Sequence, residues 1–280
     1  MRELSLPCLG LHGFHRLTYY EWGAPDNDRV LICVHGLTRN GRDFDDLAQA
    51  LAQDYRVLCP DIPGRGKSQW LPHKEDYSYP VYCADMATLI ARSGAQTVDW
   101  VGTSMGGLIG MLLAAQPDSP IRKLVMNDVG PFIPKASLER LASYVGKPLS
   151  YESFDAFEQY IRTISASFGP LTDSQWRHLA QTTSRHGDDG RWTTNYDPAI
   201  AMPFKGPISD VVLWPFWDQV HASTLLIRGT DSDLLLRETA QEMTKRGPKA
   251  KFVEFAGIGH APMLMAEEQI AAIKQFLLGG

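Results

Sequence analysis

The stretch GTSMG at residues 102–106 is a G-x-S-x-G pentapeptide whose neighbours decide how it folds. Before it, QTVDWV at 96–101 predicts a short buried strand, and after it GLIGMLLAA at 107–115 predicts an apolar helix. A serine between two glycines at a sharp strand-to-helix turn forms a nucleophile elbow. In so tight a turn, side chains two positions before and after the serine would clash, so both positions need glycine. The pattern predicts that the Ser104 hydroxyl projects from the edge of a sheet.

Strand and helix signals alternate through the first third of the chain. Residues 9–22 predict a hairpin, and VLICV at 30–34 and RVLC at 56–59 predict strands covered on both faces. Apolar residues at helical spacing predict a helix over 42–52. Alternation of this kind builds a mostly parallel sheet with helices on both sides.

The alternation stops after Pro131 and resumes with TLLIR at 224–228. Between them, residues 132–218 are helical in places, rich in aromatic residues and without a convincing parallel strand. We therefore predict one α/β core, formed by 1–131 and 219–280, into which a helical cap is inserted.

Composition narrows the classes of protein to consider. The chain has 280 residues, 44% of them hydrophobic and 21% charged, as in an ordinary globular protein. A formal net charge of −5 with no basic run argues against a nucleic-acid or anionic-membrane surface. No segment is long and apolar enough for a signal peptide or a membrane span. We expect a cytoplasmic protein with neither nucleic acid nor membrane as partner.

No motif in the sequence supports a metal site or a nucleotide-cofactor site. The four cysteines show neither a C-x-x-C pair nor metal-ligand spacing; they are Cys8, Cys33, Cys59 and Cys83. No G-x-G-x-x-G follows a strand, and no H-E-x-x-H occurs. Gly66-Lys67-Ser68 resembles the end of a P-loop, but Asp61 stands where the leading glycine belongs. The sequence predicts that the protein needs no metal and no organic cofactor.

A serine hydroxyl becomes nucleophilic when a neighbouring base takes its proton, and His260 is the candidate base. It lies in GIGHAP at 257–262, a loop after the last predicted strand, where a serine at the edge of the sheet would need it.

The base in turn needs an orienting acid, which should follow the preceding strand. RGTDSDLL at 228–235 offers Asp231 and Asp233 there, in the chain order Ser, Asp, His. Asp128, after the strand that precedes the cap, is a third candidate.

Two backbone amides are candidates for stabilising an oxyanion. The Met105 N–H lies at the start of the elbow helix, where the helix dipole assists. The Leu37 N–H lies in HGLT at 35–38, after the strand 30–34, where Gly36 would let the backbone approach a substrate. We expect His35 to fix this loop rather than to take part in chemistry.

Taken together, these motifs resemble the α/β-hydrolase fold, in particular its capped esterase, lactonase and C–C hydrolase group. The matching segments span nearly the whole chain: HGLT at 35–38, CPDIPGRGKS at 59–68, GTSMGG at 102–107, RGTDSDLL at 228–235 and GIGHAP at 257–262. The resemblance implies a mostly parallel eight-stranded sheet and favours Asp233 as the acid. Members often follow the acid with two hydrophobic residues, a third residue and a helix-opening proline; here Arg237 takes the place of the proline.

The expectation is a serine hydrolase of a small carboxylic ester with an apolar part. Ser104 attacks, His260 takes the proton, Asp233 orients the imidazole, and the amides of Leu37 and Met105 hold the oxyanion. A lactonase, thioesterase, C–C bond hydrolase or cofactor-free haloperoxidase would use the same residues, and a non-catalytic ligand-binding protein is the alternative from another class. A serine in the elbow argues against the haloalkane dehalogenases and epoxide hydrolases of this fold, which by resemblance use aspartate there.

Overall fold

The computed structural model describes residues 1–279, and an eight-stranded sheet forms its centre. The strands of this sheet are β1 (Arg2–Gly10), β2 (Gly13–Trp22), β3 (Val30–Val34), β4 (Arg56–Asp61), β5 (Val98–Thr103), β6 (Ile121–Asn127), β11 (Ser223–Gly229) and β12 (Lys251–Phe255). Their spatial order is β1-β2-β4-β3-β5-β6-β11-β12. The pairs β1–β2 and β2–β4 are antiparallel, and all later pairs are parallel. This confirms the predicted mostly parallel sheet, although the hairpin begins at Arg2 instead of residue 9.

Nine α-helices lie within residues 1–279, and those outside the segment between β6 and β11 cover the two faces of the sheet. The nine helices are α1 (Asp45–Leu51), α2 (Tyr79–Ser93), α3 (Met105–Ala114), α4 (Lys135–Ala142), α5 (Phe154–Ile164), α6 (Asp173–Thr183), α7 (Trp214–Trp217), α8 (Arg237–Met243) and α9 (Glu267–Leu278). Buried residues of α2, α3 and α8 belong to one apolar cluster, and those of α1 and α9 to another. None of the helices within residues 1–279 combines the length and apolar character that crossing a membrane requires.

Strand β3 shows why a central strand of this sheet is apolar at every position. Its alternate residues Val30, Ile32 and Val34 enter the cluster formed with α2 and α3, whereas Leu31 and Cys33 enter the cluster formed with α1 and α9. Successive side chains of a strand point to opposite faces, so a strand between two helical layers must be apolar at every position.

The segment between β6 and β11 forms helices and two small two-stranded ribbons that are separate from the main sheet. The ribbons pair β7 (Phe132–Ile133) with β10 (Val211–Val212), and β8 (Ser184–His186) with β9 (Trp192–Thr194). Helices α5 and α6 enclose an apolar cluster of their own, which also includes Met263 and Met265 from the loop before α9. Residues 132–218 thus lie outside the main sheet, and their role as a cap stays a prediction at this point.

Candidate active site

Ser104 occupies the turn between β5 and α3 in a backbone conformation that side chains rarely adopt. Its φ is 52° and its ψ is −116°. A Cβ on Gly106 would overlap the carbonyl oxygen of Val34, and one on Gly102 would overlap the backbone of Gly106. The two glycines are therefore required by close backbone approach, as the sequence predicted. A strained residue of this kind persists only where its surroundings hold it, which is typical of active sites.

His260 meets Ser104 as the sequence predicted. The loop after β12 carries the imidazole, and its Nε2 lies 2.9 Å from the Ser104 Oγ. The side chain of His260 is 12% exposed, so a substrate can reach it while most of the ring is packed. A nitrogen at this distance is within reach of the hydroxyl proton.

Asp128 is the acid that the structure brings to His260. Its Oδ2 lies 2.7 Å from the Nδ1 of His260, and the carboxylate is completely buried. The backbone N–H of Gly229 donates to Oδ1 at 3.0 Å, and the Ser232 hydroxyl donates to Oδ2 at 2.6 Å. These donors stabilise a buried anion and fix its orientation. The Nδ1–H of His260 is thereby committed to Asp128, which leaves the Nε2 lone pair facing Ser104.

Asp233, the acid favoured on resemblance, lies elsewhere in the structure. Its two carboxylate oxygens accept hydrogen bonds from Nε and Nη2 of Arg140 on α4, at 2.5 and 2.9 Å, and its side chain is 51% exposed. Asp231 is exposed as well, and its Oδ1 accepts from the Thr230 hydroxyl. The expected acid is therefore corrected: Asp128, and not Asp233, is the carboxylate that lies beside His260.

Strand order is the physical reason for this correction. Strand β6 lies directly beside β5, so a residue just past its end emerges next to the serine at the end of β5. Asp128 is the first residue after β6. Its φ is 56°, and its backbone N–H donates to the carbonyl of Ile227 on β11. Asp233 lies four residues beyond the end of β11, on the side facing α4.

The residues predicted to stabilise an oxyanion border the same space. Leu37 follows β3 and Met105 is the first residue of α3, and both line a cavity together with Ser104. Their amide roles stay predictions.

His35 fixes the loop after β3. The N–H of Ile62 donates to its Nε2 at 2.9 Å, so its Nδ1–H donates to the carbonyl of Gly36 at 2.7 Å. Both ring nitrogens are satisfied only in the neutral form. Burial, assisted by the positive charges of Arg65 and Arg39, lowers the pKa of His35 to about 3.

The neutral His35 gives a prediction about stability and pH. In the unfolded chain its pKa is about 6.5, so between pH 6.5 and about 3 the unfolded state binds a proton that the folded state does not. Folding stability is therefore lost as the pH falls through this window. We expect the unfolding free energy of the wild type, measured by urea titration, to fall relative to that of His35→Gln by on the order of 1 kcal/mol per pH unit below 6.5. A difference between the two proteins that is the same at pH 7 and pH 5 would contradict this account.

Two cavities meet at Ser104, and Leu37 and Leu141 also line both of them. The His260 chamber, of about 110 Å³, is lined by His260, Arg39 and Arg140 among others. The apolar chamber, of about 920 Å³, extends over Met105 between α3 and the 132–218 segment. The sequence did not reveal either cavity, because their walls combine residues distant in the chain.

Two groups of side chains outside these chambers have atoms close enough to share a metal ion. One is Cys8, His15 and Asp85, which is buried; the other is His12, His73 and Glu75, which is exposed. In the buried group His15 Nε2 already lies 2.9 Å from Asp85, and burial raises the pKa of the Cys8 thiol to about 12. None of the six residues lines the cavities at Ser104.

Comparison with known proteins gives consistent matches over nearly the whole chain. A family model described as the alpha/beta hydrolase fold matches residues 29–266. A 3-hydroxybutyrate-oligomer hydrolase from Cupriavidus necator is 48% identical over 281 residues, which cover 97% of this chain and 96% of that protein. A proposed hydrolase from Rickettsia typhi superposes with a TM-score of 0.94 at 32% identity, covering 100% of both chains. An alpha/beta hydrolase from Novosphingobium aromaticivorans superposes with a TM-score of 0.86 at 36% identity, covering 99% of this chain and 98% of that one.

Proposed function

Because this chain belongs to the α/β-hydrolase fold family and is a hydrolase acting on ester bonds, we propose that it hydrolyses oligomers of 3-hydroxy acids through Ser104, His260 and Asp128. The observation that carries the proposal is the hydrogen-bonded chain from Ser104 Oγ through His260 to the Asp128 carboxylate. The substrate class rests on the full-length similarity to the 3-hydroxybutyrate-oligomer hydrolase.

Acylation begins when His260 Nε2 takes the proton of Ser104 and the freed oxygen attacks the ester carbonyl carbon. Asp128 accepts a hydrogen bond from Nδ1–H of His260 and stabilises the imidazolium that forms. The amides of Leu37 and Met105 donate to the oxyanion of the tetrahedral intermediate. When the intermediate collapses, the alcohol oxygen leaves with the proton of His260, and the acyl group stays on Ser104.

Deacylation reverses these roles with water. His260 takes a proton from the water as its oxygen attacks the acyl carbon, and Ser104 leaves with that proton. One ester and one water thus give one acid and one alcohol, and the enzyme returns to its starting state.

The proposal includes a cap formed by residues 132–218. The wall of the His260 chamber includes Leu141 in the last turn of α4 and Tyr144 just after it, together with Tyr160 and Ile161 on α5. Ile133, Leu138 and Leu213 from the same segment contribute to the wall of the apolar chamber. A segment that covers both chambers restricts which esters reach Ser104 and keeps bulk water from them.

The test is to follow acid release in a pH-stat with linear 3-hydroxybutyrate trimer, p-nitrophenyl butyrate and β-butyrolactone as substrates. We expect turnover of both linear esters, with a kcat/KM for the trimer at least tenfold above that for the lactone. Hydrolysis of p-nitrophenyl butyrate without hydrolysis of the trimer would keep the mechanism and overturn the substrate class. A preference for the lactone would support the lactonase alternative instead.

A further inference from the structure

The two chambers at Ser104 differ in charge. Within the part of the chain that the structure describes, the wall of the apolar chamber contains no charged side chain. The residues that line the His260 chamber include two arginines, Arg39 and Arg140, and one acidic residue, Asp43. Between the two chambers, the charged end of a substrate is therefore favoured in the His260 chamber, since an unpaired charge in apolar surroundings is costly.

Acid–base chemistry assigns the two halves of an ester to the two chambers. His260 lines only the smaller chamber, and its Nε2 must deliver a proton to the departing oxygen. That oxygen, and the alcohol part attached to it, must therefore lie on the His260 side of Ser104. The acyl part then extends over Met105 into the apolar chamber.

Size sets how much of an oligomer each chamber can take. A cavity of about 150 Å³ holds benzene, which has about six non-hydrogen atoms, as many as one 3-hydroxybutyrate unit within a chain. The His260 chamber, at about 110 Å³, is smaller than that cavity and therefore leaves room for no more than one unit. The apolar chamber, at about 920 Å³, can hold several.

Arg39 and Arg140 can bind a further carboxylate although each already has an acidic partner. Arg39 donates to Asp43 through Nε and Nη2, at 2.8 and 2.6 Å, which leaves its Nη1 group for another acceptor. A Cβ on Gly36 would lie 3.6 Å from the Ser104 Cβ and 3.8 Å from the Arg39 Cγ, so the Arg39 side chain starts close to the serine. Guanidinium groups bind carboxylates more specifically than other cations do.

We propose that the enzyme shortens an oligomer from its carboxyl end by one 3-hydroxy acid at a time, with Arg39 and Arg140 binding the free terminal carboxylate. This inference rests on the proposed function. The bond that breaks joins the penultimate carbonyl carbon to the 3-oxygen of the last unit, which leaves as the free hydroxy acid with a proton from His260. Water then releases the rest of the chain from Ser104, and its new carboxylate can occupy the His260 chamber next.

The direction of cleavage is tested with a 3-hydroxybutyrate trimer that carries ¹³C only in its carboxyl-terminal unit. The reaction is stopped before each trimer has been cut once on average. Mass spectrometry of the products should then show labelled monomer and unlabelled dimer. Unlabelled monomer with labelled dimer would overturn the inference, because the chain would then be cut from its hydroxyl end. The same preparation should also hydrolyse p-nitrophenyl butyrate, because the proposed function predicts this activity whichever end of the trimer is cut. Cleavage from the hydroxyl end together with this activity would overturn the direction of cleavage and leave the proposed function standing.

The role of the arginines is tested by comparing the trimer acid with its methyl ester, which lacks the terminal charge. In Arg140→Gln, and in Arg39→Lys, which keeps a cation beside Asp43 but not the planar fork, we expect the ratio of kcat/KM for acid over methyl ester to fall about tenfold. Lys147→Gln is the matched control, because Lys147 is an exposed cation of the same segment that lines neither chamber. If the arginines were merely structural, kcat/KM would fall equally for the acid and the methyl ester. An unchanged ratio of the two kcat/KM values in both arginine variants would overturn the assignment.

Discussion

Replacing Ser104 with alanine is expected to lower kcat for ester hydrolysis by roughly 10⁶-fold, the loss that follows removal of the serine from a triad of this type. The acyl-enzyme route depends on an oxygen at this position, held by the elbow and placed 2.9 Å from His260. The measurement is p-nitrophenyl ester hydrolysis at acyl lengths from acetate to octanoate, with wild type and variant side by side.

The fold should survive this substitution. Serine and alanine both carry a Cβ, so the positive φ of 52° costs the two proteins about the same. Thermal unfolding should therefore give similar midpoints. Ser174→Ala, at an exposed serine on α6, is the matched control and should keep full activity. Turnover by Ser104→Ala above a small residual rate would mean that the nucleophile is a different group.

Asp128→Asn is expected to reduce kcat by about 10⁴-fold with little change in the position of the ring. An asparagine amide is neutral, so it cannot stabilise the imidazolium, and it can hold His260 in the tautomer whose Nε2 carries the proton. That tautomer cannot take the proton of Ser104. The cost should be large because the carboxylate is fully buried and lies 2.7 Å from Nδ1.

Asp233→Asn is the matched control for that change. The Asp233 carboxylate lies half exposed against Arg140, away from the imidazole, so we expect its p-nitrophenyl butyrate activity to stay within about threefold of wild type. Kinetics of the two variants under identical conditions, with unfolding curves to exclude loss of fold, decide between the acids. The reverse ranking would restore Asp233 as the residue that orients His260.

Local patterns in the sequence were sufficient for the sheet and for the elbow. The run 30–34 is apolar at every position because both faces of β3 are covered. Gly102 is required by the backbone of Gly106 across the turn, whereas Gly106 is required by the carbonyl of Val34 at the end of β3, which the pentapeptide pattern alone does not show. His260 could be predicted because it follows the last strand, and chain order alone places such a loop at the carboxyl edge of a parallel sheet.

The choice of acid could not be made from local patterns. The residues after Asp233 resemble the pattern that often follows the acid in α/β-hydrolases, whereas the residues around Asp128 resemble no such pattern. What decides the matter is that β6 lies between β5 and β11, which is a property of the folded sheet. The chambers could not be predicted for the same reason, since the smaller one is lined by residues as distant in the chain as Arg39 and Arg140.

The loop that holds Asp128 has a consequence for how proteins of this kind diverge. The Ser232 hydroxyl lies 2.6 Å from the same Asp128 oxygen that contacts His260, so residues in the loops after two neighbouring strands reach one point in space. A carboxyl group that arose on the 229–232 loop would enter the neighbourhood of the imidazole before the original one was lost. The chemistry of the imidazole therefore fixes where the carboxylate lies in space, but not which of the two loops carries it.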